Sequence, residues 1–168
     1  MEKRDLYDFN RNLTGETIFK GEAIPKNKYI LVVLSFIENS EGKFLIQKRS
    51  IQKNGKYAST GGHPKSGETS LQGMLTEIKE EIGLSLLPTE PKLIFSGRED
   101  SSQIFYDIYY IKKDFEIEDL QLQEEEVESV KWNSVSEIQN MINNNTFLRS
   151  HIEEFYRILE YKKSNITI

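Results

Sequence analysis

A nearly unbroken run of β-branched and aromatic residues, YILVVLSFIE, occupies positions 29–38. A strand with one face in water alternates apolar and polar side chains, whereas this run is apolar at almost every position. It therefore predicts a strand that is buried on both faces, inside a sheet that is covered on both sides. Turn-forming residues follow at 39–42, and KFLIQKRS, at 43–50, predicts a second strand that completes a hairpin.

The remaining sequence predicts both strands and helices. Residues 51–67 have the composition of a polar, glycine-containing loop. Three further strands are expected where β-type residues recur, at residues 92–97, 103–113 and 127–132. Ser134 and Glu137 match a capping box, which predicts a helix that begins there and ends near 143–145. A closing helix within 146–168 has apolar residues on one face: Ile152, Phe155, Tyr156 and Leu159.

The length of 168 residues and the hydrophobic content of 37% fit one domain, and the mixture of strands and helices predicts an α/β or α+β sandwich with a single core. Residues 1–28 are expected to form an N-terminal extension packed on it. The net charge of −5 argues against partners that are nucleic acids or anionic membranes. The lack of cysteine excludes disulfides and thiol nucleophiles, and no apolar run precedes residue 28, so a cytoplasmic location is expected.

Residues 69–82 predict an amphipathic helix with an acidic strip beside its apolar face. Five apolar residues share one arc of the helical wheel: Leu71, Met74, Leu75, Ile78 and Ile82. Glu77, Glu80 and Glu81 share the neighbouring arc, at the rim of the packed face, where a cleft can form. Gly83 stands where a left-handed residue would end the helix.

Two interpretations of the acidic strip are open. Carboxylates at these spacings repel one another by a few tenths of a kcal/mol per pair, which a solvated helix face tolerates, and the charges alone favour that interpretation. The other interpretation is a site for a hard divalent cation such as Mg²⁺, which takes oxygen ligands and shares them with substrate phosphates. Gly61 and Gly62 favour the cation site, because they allow close backbone approach and offer a carbonyl oxygen.

Eight residues stand at fixed spacing around this helix: Gly62, Glu68, Glu77, Ile78, Glu80, Glu81, Gly83 and Leu84. The pattern resembles the Nudix box: Gly, five residues, Glu, seven residues, then Arg-Glu-aliphatic-x-Glu-Glu-x-Gly-aliphatic. One fixed position differs, because Thr76 replaces the arginine. Residues 6–138 also resemble the Nudix branch that includes isopentenyl-diphosphate isomerase. The resemblance implies a Nudix-type α/β/α sandwich with a mixed β-sheet and flanking helices.

The resemblance further implies hydrolysis of a diphosphate linkage in a nucleoside diphosphate derivative or a similar small phosphorylated metabolite, with Mg²⁺ as the cofactor and Mn²⁺ as the alternative ion. Carried over residue by residue, Glu80 and Glu81 are the principal metal ligands, and Glu77 is a ligand or the base that deprotonates water. These three are the expected catalytic residues. The residues expected to support the box or its metal are Gly61, through its carbonyl, and Gly62, Glu68 and Gly83.

Outside the box, the resemblance singles out a few polar residues. Glu126, and with it Glu124, matches acidic metal ligands of the isomerase branch, and a solvated acidic loop is the equal alternative. Arg49 and Lys53 match an Arg-x-x-x-Lys pattern that holds a diphosphate, with surface cations as the alternative. His63 follows Gly62 as in the isomerase's Gly-His-Pro. It is a candidate for the substrate site, and a structural histidine is the alternative.

Two departures from the pattern set the rival functions. Thr76 cannot pair with Glu77 as the arginine of the box does. A hydrolase is therefore one hypothesis, and a weak or inactive Nudix-fold module that only binds its ligand is the alternative. The isomerase's catalytic cysteine falls at Gly61, and the chain has no cysteine, so isomerase activity is not expected. The sequence identifies neither the diphosphate that is cleaved nor the oligomeric state, and a homodimer stays open.

Overall fold

A mixed β-sheet lies at the centre of the computed structural model, which describes residues 1–165. Two strands precede it, β1 (Lys3–Tyr7) and β2 (Leu13–Phe19). The sheet contains β3 (Ile30–Glu38), β4 (Phe44–Arg49), β5 (Tyr57–Ala58), β6 (Thr60–Gly62), β7 (Lys92–Glu99), β8 (Ile104–Lys112) and β9 (Val127–Asn133). The helices are α1 (Ser70–Ile82), α2 (Val135–Asn143) and α3 (Ile152–Ser164).

The strand β3 is the central element of the sheet. It pairs in parallel with β8 along its whole length, and β7 pairs antiparallel with β8 on the far side. The short strand β6 pairs antiparallel with β3, placing Gly61 opposite Leu34. The strand β4 joins β3 at the pair Glu38–Phe44 and pairs antiparallel with β5 and β9. The strands β1 and β2 form a separate antiparallel hairpin.

The core is divided between the two faces of the sheet. On one face Val33 and Ile37 of β3 pack against the apolar side of α1. On the other face Phe36 of β3 packs with residues of α2 and α3, including Ile138 and Phe155. Alternate side chains of β3 thus serve both layers, which is why its sequence is apolar at nearly every position. The predicted α/β/α sandwich with a mixed sheet is confirmed.

The structure corrects several expected boundaries. Residues 51–67, predicted as a loop, contain β5, β6 and a short 3-10 helix at Ile51–Lys53. Within 1–28 the extension forms the β1–β2 hairpin, whose Leu6 and Ile18 pack against Ile30. The helix α3 lies within 146–168, and residues 166–168 lie outside the described part of the chain. The division into domain, extension and closing helix stays a prediction. No helix within residues 1–165 has the length and apolar character needed to cross a membrane.

Candidate functional site

A cavity of about 400 Å³ lies between α1, the β3–β6 pair, the end of β4 and the β1–β2 hairpin. The acidic residues of α1 form one of its walls. Local interactions fix where this helix begins and where it ends. Thr69 accepts a hydrogen bond from the Gln72 N–H, and the Gln72 side chain accepts one from the Thr69 N–H. At the other end, Gly83 has φ +73° and ends the helix in the left-handed conformation.

The helix presents its acidic strip as the wheel predicts. Met74, Ile78 and Ile82 are fully buried under the helix, which turns the neighbouring arc toward the cavity. All three carboxylates of that arc line the cavity: Glu77, Glu80 and Glu81. They are not equally exposed, since Glu81 is 8% exposed whereas Glu80 is open to solvent.

The short strand β6 passes directly against these acids and needs glycine to do so. A Cβ atom on Gly61 would lie 2.4 Å from the Val33 carbonyl oxygen, so only glycine fits beside β3. A Cβ atom on Gly62 would overlap the Glu77 carboxyl group, at 2.3 Å from its carbon. The next residue, His63, donates its backbone N–H to Glu77 Oε1 at 3.0 Å. The backbone at Gly61–His63 therefore fixes one side of the carboxylate cluster.

Glu81 is buried and Glu77 is half-buried, and neither has an ion-pair partner among residues 1–165. Burial raises the pKa of Glu77 to about 7, and the hydrogen bond from His63 only partly offsets this. Burial, and next the charge of Glu77, raise the pKa of Glu81 to about 8. Glu81 accepts a hydrogen bond from Gln47 Nε2 at 3.2 Å. The charge of Glu77 disfavours ionisation of Glu81, and the charges of Glu2 and Glu80 disfavour that of Glu77, so a cation would be stabilised among these acids.

The other acids are held by lysines. Glu80 forms an ion pair with Lys65 at the exposed edge of the cavity. Glu126 lines the cavity and pairs with Lys53 at 2.9 Å. Glu124 is exposed and lies outside the cavity lining, which agrees with the solvated-loop interpretation for that residue.

Arg49 and His63 both line the cavity, as do Lys53 and the two glycines of β6. Arg49 makes no ion pair within the described residues. Burial, and next the positive charges of Arg4 and Lys20, lower the pKa of His63 to about 4, so its imidazole is neutral near pH 7.

Thr76, the residue that departs from the Nudix box, contacts Glu68 rather than the cavity. Its Oγ1 donates a hydrogen bond to Glu68 Oε1 at 2.7 Å, and Glu68 Oε2 accepts the Lys65 backbone N–H at 2.8 Å. Glu68 is therefore linked to α1 through Thr76, one residue before Glu77, and does not line the cavity itself.

Several polar residues of the cavity were not identified from the sequence: Arg4, Lys20, Gln47, Ser59 and His151. Gln47 carried a usable signal, since it interrupts the apolar part of β4 and is 5% exposed. Ser59 Oγ lies 3.0 Å from His151 Nδ1, and burial lowers the pKa of His151 to about 3. The others come from distant segments of the chain and carry no local motif.

The donor chemistry of the cavity fits a hard divalent cation, because it offers carboxylate oxygens and backbone carbonyls. Yet within residues 1–165 no group of three or more His, Asp or Glu side chains is gathered closely enough to hold a metal ion. Glu77, Glu80 and Glu81 each contact a different partner instead: the His63 N–H, Lys65 and Gln47. Binding of an ion would require these side chains to turn inward.

Comparison with solved structures identifies the fold. A crystal structure from Deinococcus radiodurans superposes with a TM-score of 0.75 and 19% identity, covering 93% of this chain and 98% of that one. The Nudix domain of NrtR from Shewanella oneidensis, solved with ADP-ribose, superposes with a TM-score of 0.64 and 16% identity, covering 85% of this chain and 93% of that one.

Comparison of sequences identifies the family. A Nudix hydrolase of Listeria innocua is 36% identical over 152 residues, which are 88% of this chain and 89% of the relative. One of Listeria monocytogenes is 34% identical with the same coverage. The likeness to the isomerase branch stays a prediction. Because residues 28–155 also match the NUDIX domain, the chain belongs to the Nudix hydrolases, which act on pyrophosphate bonds.

Proposed function

We propose that this chain is a Mg²⁺-dependent hydrolase, with Mn²⁺ as the alternative ion, of the diphosphate linkage in a nucleoside diphosphate derivative or a similar small phosphorylated metabolite. The supporting observation is a pair of carboxyl groups, the half-buried Glu77 and the buried Glu81, that face one cavity without a cationic partner among residues 1–165. A module that only bound its ligand would gain nothing from burying two acids that repel its phosphates.

The residues divide into two groups with different roles. Glu77, Glu80 and Glu81 are proposed to hold the ion, with the Gly61 carbonyl and Glu126 as further oxygen donors. When bound, the ion would neutralise the diphosphate and make a water molecule more acidic. Glu77 is also the candidate base, because the His63 N–H and the bare backbone of Gly62 fix its carboxyl group.

The second group binds substrate. Arg49 has no ion pair among the described residues and lies near Glu81, so its planar guanidinium is free to donate hydrogen bonds to phosphate oxygens. Lys53 forms an ion pair with Glu126 and is therefore only partly available to substrate. His63 is neutral, so it would form hydrogen bonds with substrate and would not contribute a charge. The cytoplasmic location and the homodimer stay predictions of the sequence.

The test is a panel of nucleoside diphosphate derivatives, assayed for phosphate-containing products with and without Mg²⁺. We expect turnover that requires the ion and falls by orders of magnitude in Glu80→Gln and Glu81→Gln. Glu128→Gln is the matched control, since Glu128 is an exposed acid that pairs with Lys48 and does not line the cavity. Wild-type turnover no greater than that of Glu81→Gln would reject the hydrolase.

A second candidate function, ligand binding without turnover, is favoured by Thr76. In the structure Thr76 binds Glu68 and leaves Glu77 without the arginine that the Nudix box provides. The NrtR Nudix domain, to which this fold is similar, was solved with ADP-ribose. Calorimetric binding of ADP-ribose together with no turnover across the panel would favour this candidate over the hydrolase.

A further inference from the structure

We infer that the β1–β2 hairpin supplies a second anion-binding subsite, formed by Arg4 and Lys20, at the opposite end of the cavity from Arg49. A substrate that is anionic on both sides of the cleaved bond, such as a nucleoside triphosphate or another polyphosphate, is therefore preferred over a diphosphate with a neutral substituent. The substrate preference rests on the proposed function, whereas the anion-binding subsite can be measured by itself.

The hairpin is fixed in position beside the site. Asp5 of β1 accepts hydrogen bonds from Ser66 Oγ at 2.6 Å and from the Gly67 N–H at 2.8 Å, and the Lys3 carbonyl accepts the Ser66 N–H at 2.9 Å. These contacts join β1 to the loop that leads into α1. Arg4 is therefore held next to the segment that carries the carboxylates.

Lys20 reaches the same place from the other strand. Its backbone N–H donates to the Glu2 carbonyl at 2.9 Å, which sets Lys20 across the hairpin from the start of β1. Arg4 and Lys20 both line the cavity, and both lie close enough to His63 to act on its charge. The two cations thus form one group around His63.

Arg49 belongs to a different group. Its positive charge lowers the pKa of both Glu81 and His151, so it lies near both residues. His151 in turn contacts Ser59. Ser59 immediately precedes β6 and His63 immediately follows it, so the two groups stand at the two ends of that strand. Four residues of extended chain cover on the order of 10 Å. The acids of α1 follow the same division, since Glu77 accepts the His63 N–H and Glu81 lies near Arg49.

The hairpin cations lack strong partners, in contrast to the lysines elsewhere in the cavity. The Arg4 side chain is 13% exposed, and its ion pair with Glu2, at 3.5 Å, is a long one. Lys20 makes no ion pair within residues 1–165. A guanidinium that has lost most of its water gains from an anion that approaches through the cavity.

The lining of the cavity favours recognition by charge. None of the described residues that line it is Phe, Tyr or Trp, so a nucleobase would meet only the smaller imidazole rings of His63 and His151. Four cationic side chains line it instead: Arg4, Lys20, Arg49 and Lys53. Phosphate groups at both ends of the substrate match this arrangement better than a stacked base does.

The experiment is calorimetric titration with a hydrolysis-resistant imido analogue of tripolyphosphate, with and without Mg²⁺. We expect Arg4→Gln and Lys20→Gln each to weaken binding by about tenfold, and the double variant by more, in both series. Lys3→Gln is the matched control, because Lys3 is an exposed neighbour on β1 that lies over the Phe19 ring and does not line the cavity. It should bind within about twofold of wild type, and thermal unfolding verifies that the hairpin variants remain folded.

Kinetics separate this inference from the proposed function. Among substrates that are turned over, the hairpin variants should raise KM for triphosphates and leave kcat nearly unchanged, with little effect on diphosphates that carry a neutral group. The subsite would be overturned, even with normal turnover, if the double variant bound the tripolyphosphate analogue as tightly as wild type. It would also be overturned if the wild type did not bind the analogue. Loss of binding in the double variant together with no turnover of any substrate would support the subsite and reject the hydrolase.

Discussion

Gly62 and Glu77 lie so close together that a Cβ atom on residue 62 would stand 2.3 to 2.5 Å from the carbon and both oxygens of the Glu77 carboxyl group. The backbone next to Gly62 donates the His63 N–H to Glu77. The position of this carboxyl group is therefore set by β6 as much as by α1.

Replacement of this glycine should abolish most activity without unfolding the chain. In Gly62→Ala the new methyl group must displace the Glu77 side chain, which can rotate away because it ends in a cavity, so we expect kcat to fall by about a hundredfold or more. Gly42→Ala is the control, since its Cβ would lie 3.7 Å from the nearest atom and its φ of +75° costs stability far from the site. Steady-state kinetics and thermal unfolding of both variants check this. Equal kcat in Gly62→Ala and wild type would contradict the proposed role of Glu77.

If Glu80 holds the ion as proposed, Lys65 competes with that ion for the Glu80 carboxylate. The two side chains form an ion pair at the exposed edge of the cavity, and this pair must open before Glu80 can turn inward. Exposed pairs are worth about 0–1 kcal/mol, so Lys65→Met should tighten Mg²⁺ or Mn²⁺ binding by up to about fivefold. Titration with Mn²⁺, followed by calorimetry, measures the change. Lys79→Met is the control, because Lys79 contacts Gly83 and Ser85 instead. Weaker metal binding in Lys65→Met would contradict the competition.

His151 should make the stability of the fold sensitive to acid. Burial, and next the positive charge of Arg49, lower the pKa of His151 to about 3, whereas an unfolded chain titrates histidine near about 6.5. Between these values the unfolded state binds a proton that the folded state does not, so the free energy of unfolding falls as the pH is lowered through this window.

The comparison that isolates His151 is urea unfolding of wild type and His151→Gln at several pH values. Above pH 6.5 the difference between the two proteins should be constant. Below it the wild type should lose stability faster than the variant, by up to about 1 kcal/mol per pH unit. His63 shifts in the same direction, but it is present in both proteins and cancels. Parallel pH profiles for the two proteins would show that His151 is not buried as the structure has it.

The sequence predicted those parts of the site that lie within one regular element. Glu77, Glu80 and Glu81 share an arc of α1 because their spacing matches the helical period, and Gly83 ends the helix by a local rule. The apolar run at 29–38 likewise predicted the central strand, because burial on both faces shows directly in the composition of β3.

What the sequence did not predict depends on tertiary contacts. The strand β6 has almost no side chains to carry a pattern, and it is ordered by backbone pairing with β3. Arg4, Lys20 and His151 come from the two ends of the chain and reach the cavity only after folding. The alternating aromatic residues of β8 do not reveal from the sequence which face of the sheet each occupies, and the structure buries Phe105 and Tyr109 in the core.

A buried ion pair fastens the N-terminal hairpin to the sheet, and its loss should cost the most stability of any change considered. Asp107 of β8 is 1% exposed, and it accepts hydrogen bonds from Arg11 Nη1 at 2.8 Å, from Arg11 Nη2 at 2.5 Å and from Ser96 Oγ at 2.6 Å. Burial alone would raise the pKa of Asp107, but these bonds, led by those of Arg11, hold it below its ordinary value.

Asp107→Ala leaves the Arg11 guanidinium without its anion and two serines, Ser70 and Ser96, without their acceptor. We expect the free energy of unfolding to fall by about 3 kcal/mol, the lower end for a broken buried pair, because the Arg11 side chain is 32% exposed and can turn to water. Urea unfolding measures this, and Glu128→Ala, which breaks an exposed pair with Lys48, should cost less than about 1 kcal/mol.

Since Arg11 lies in the turn between β1 and β2, the loosened hairpin should also bind polyphosphate more weakly, although Asp107 does not line the cavity. A loss similar to that of Glu128→Ala would mean that apolar packing of Leu6 and Ile18, rather than this ion pair, holds the hairpin in place.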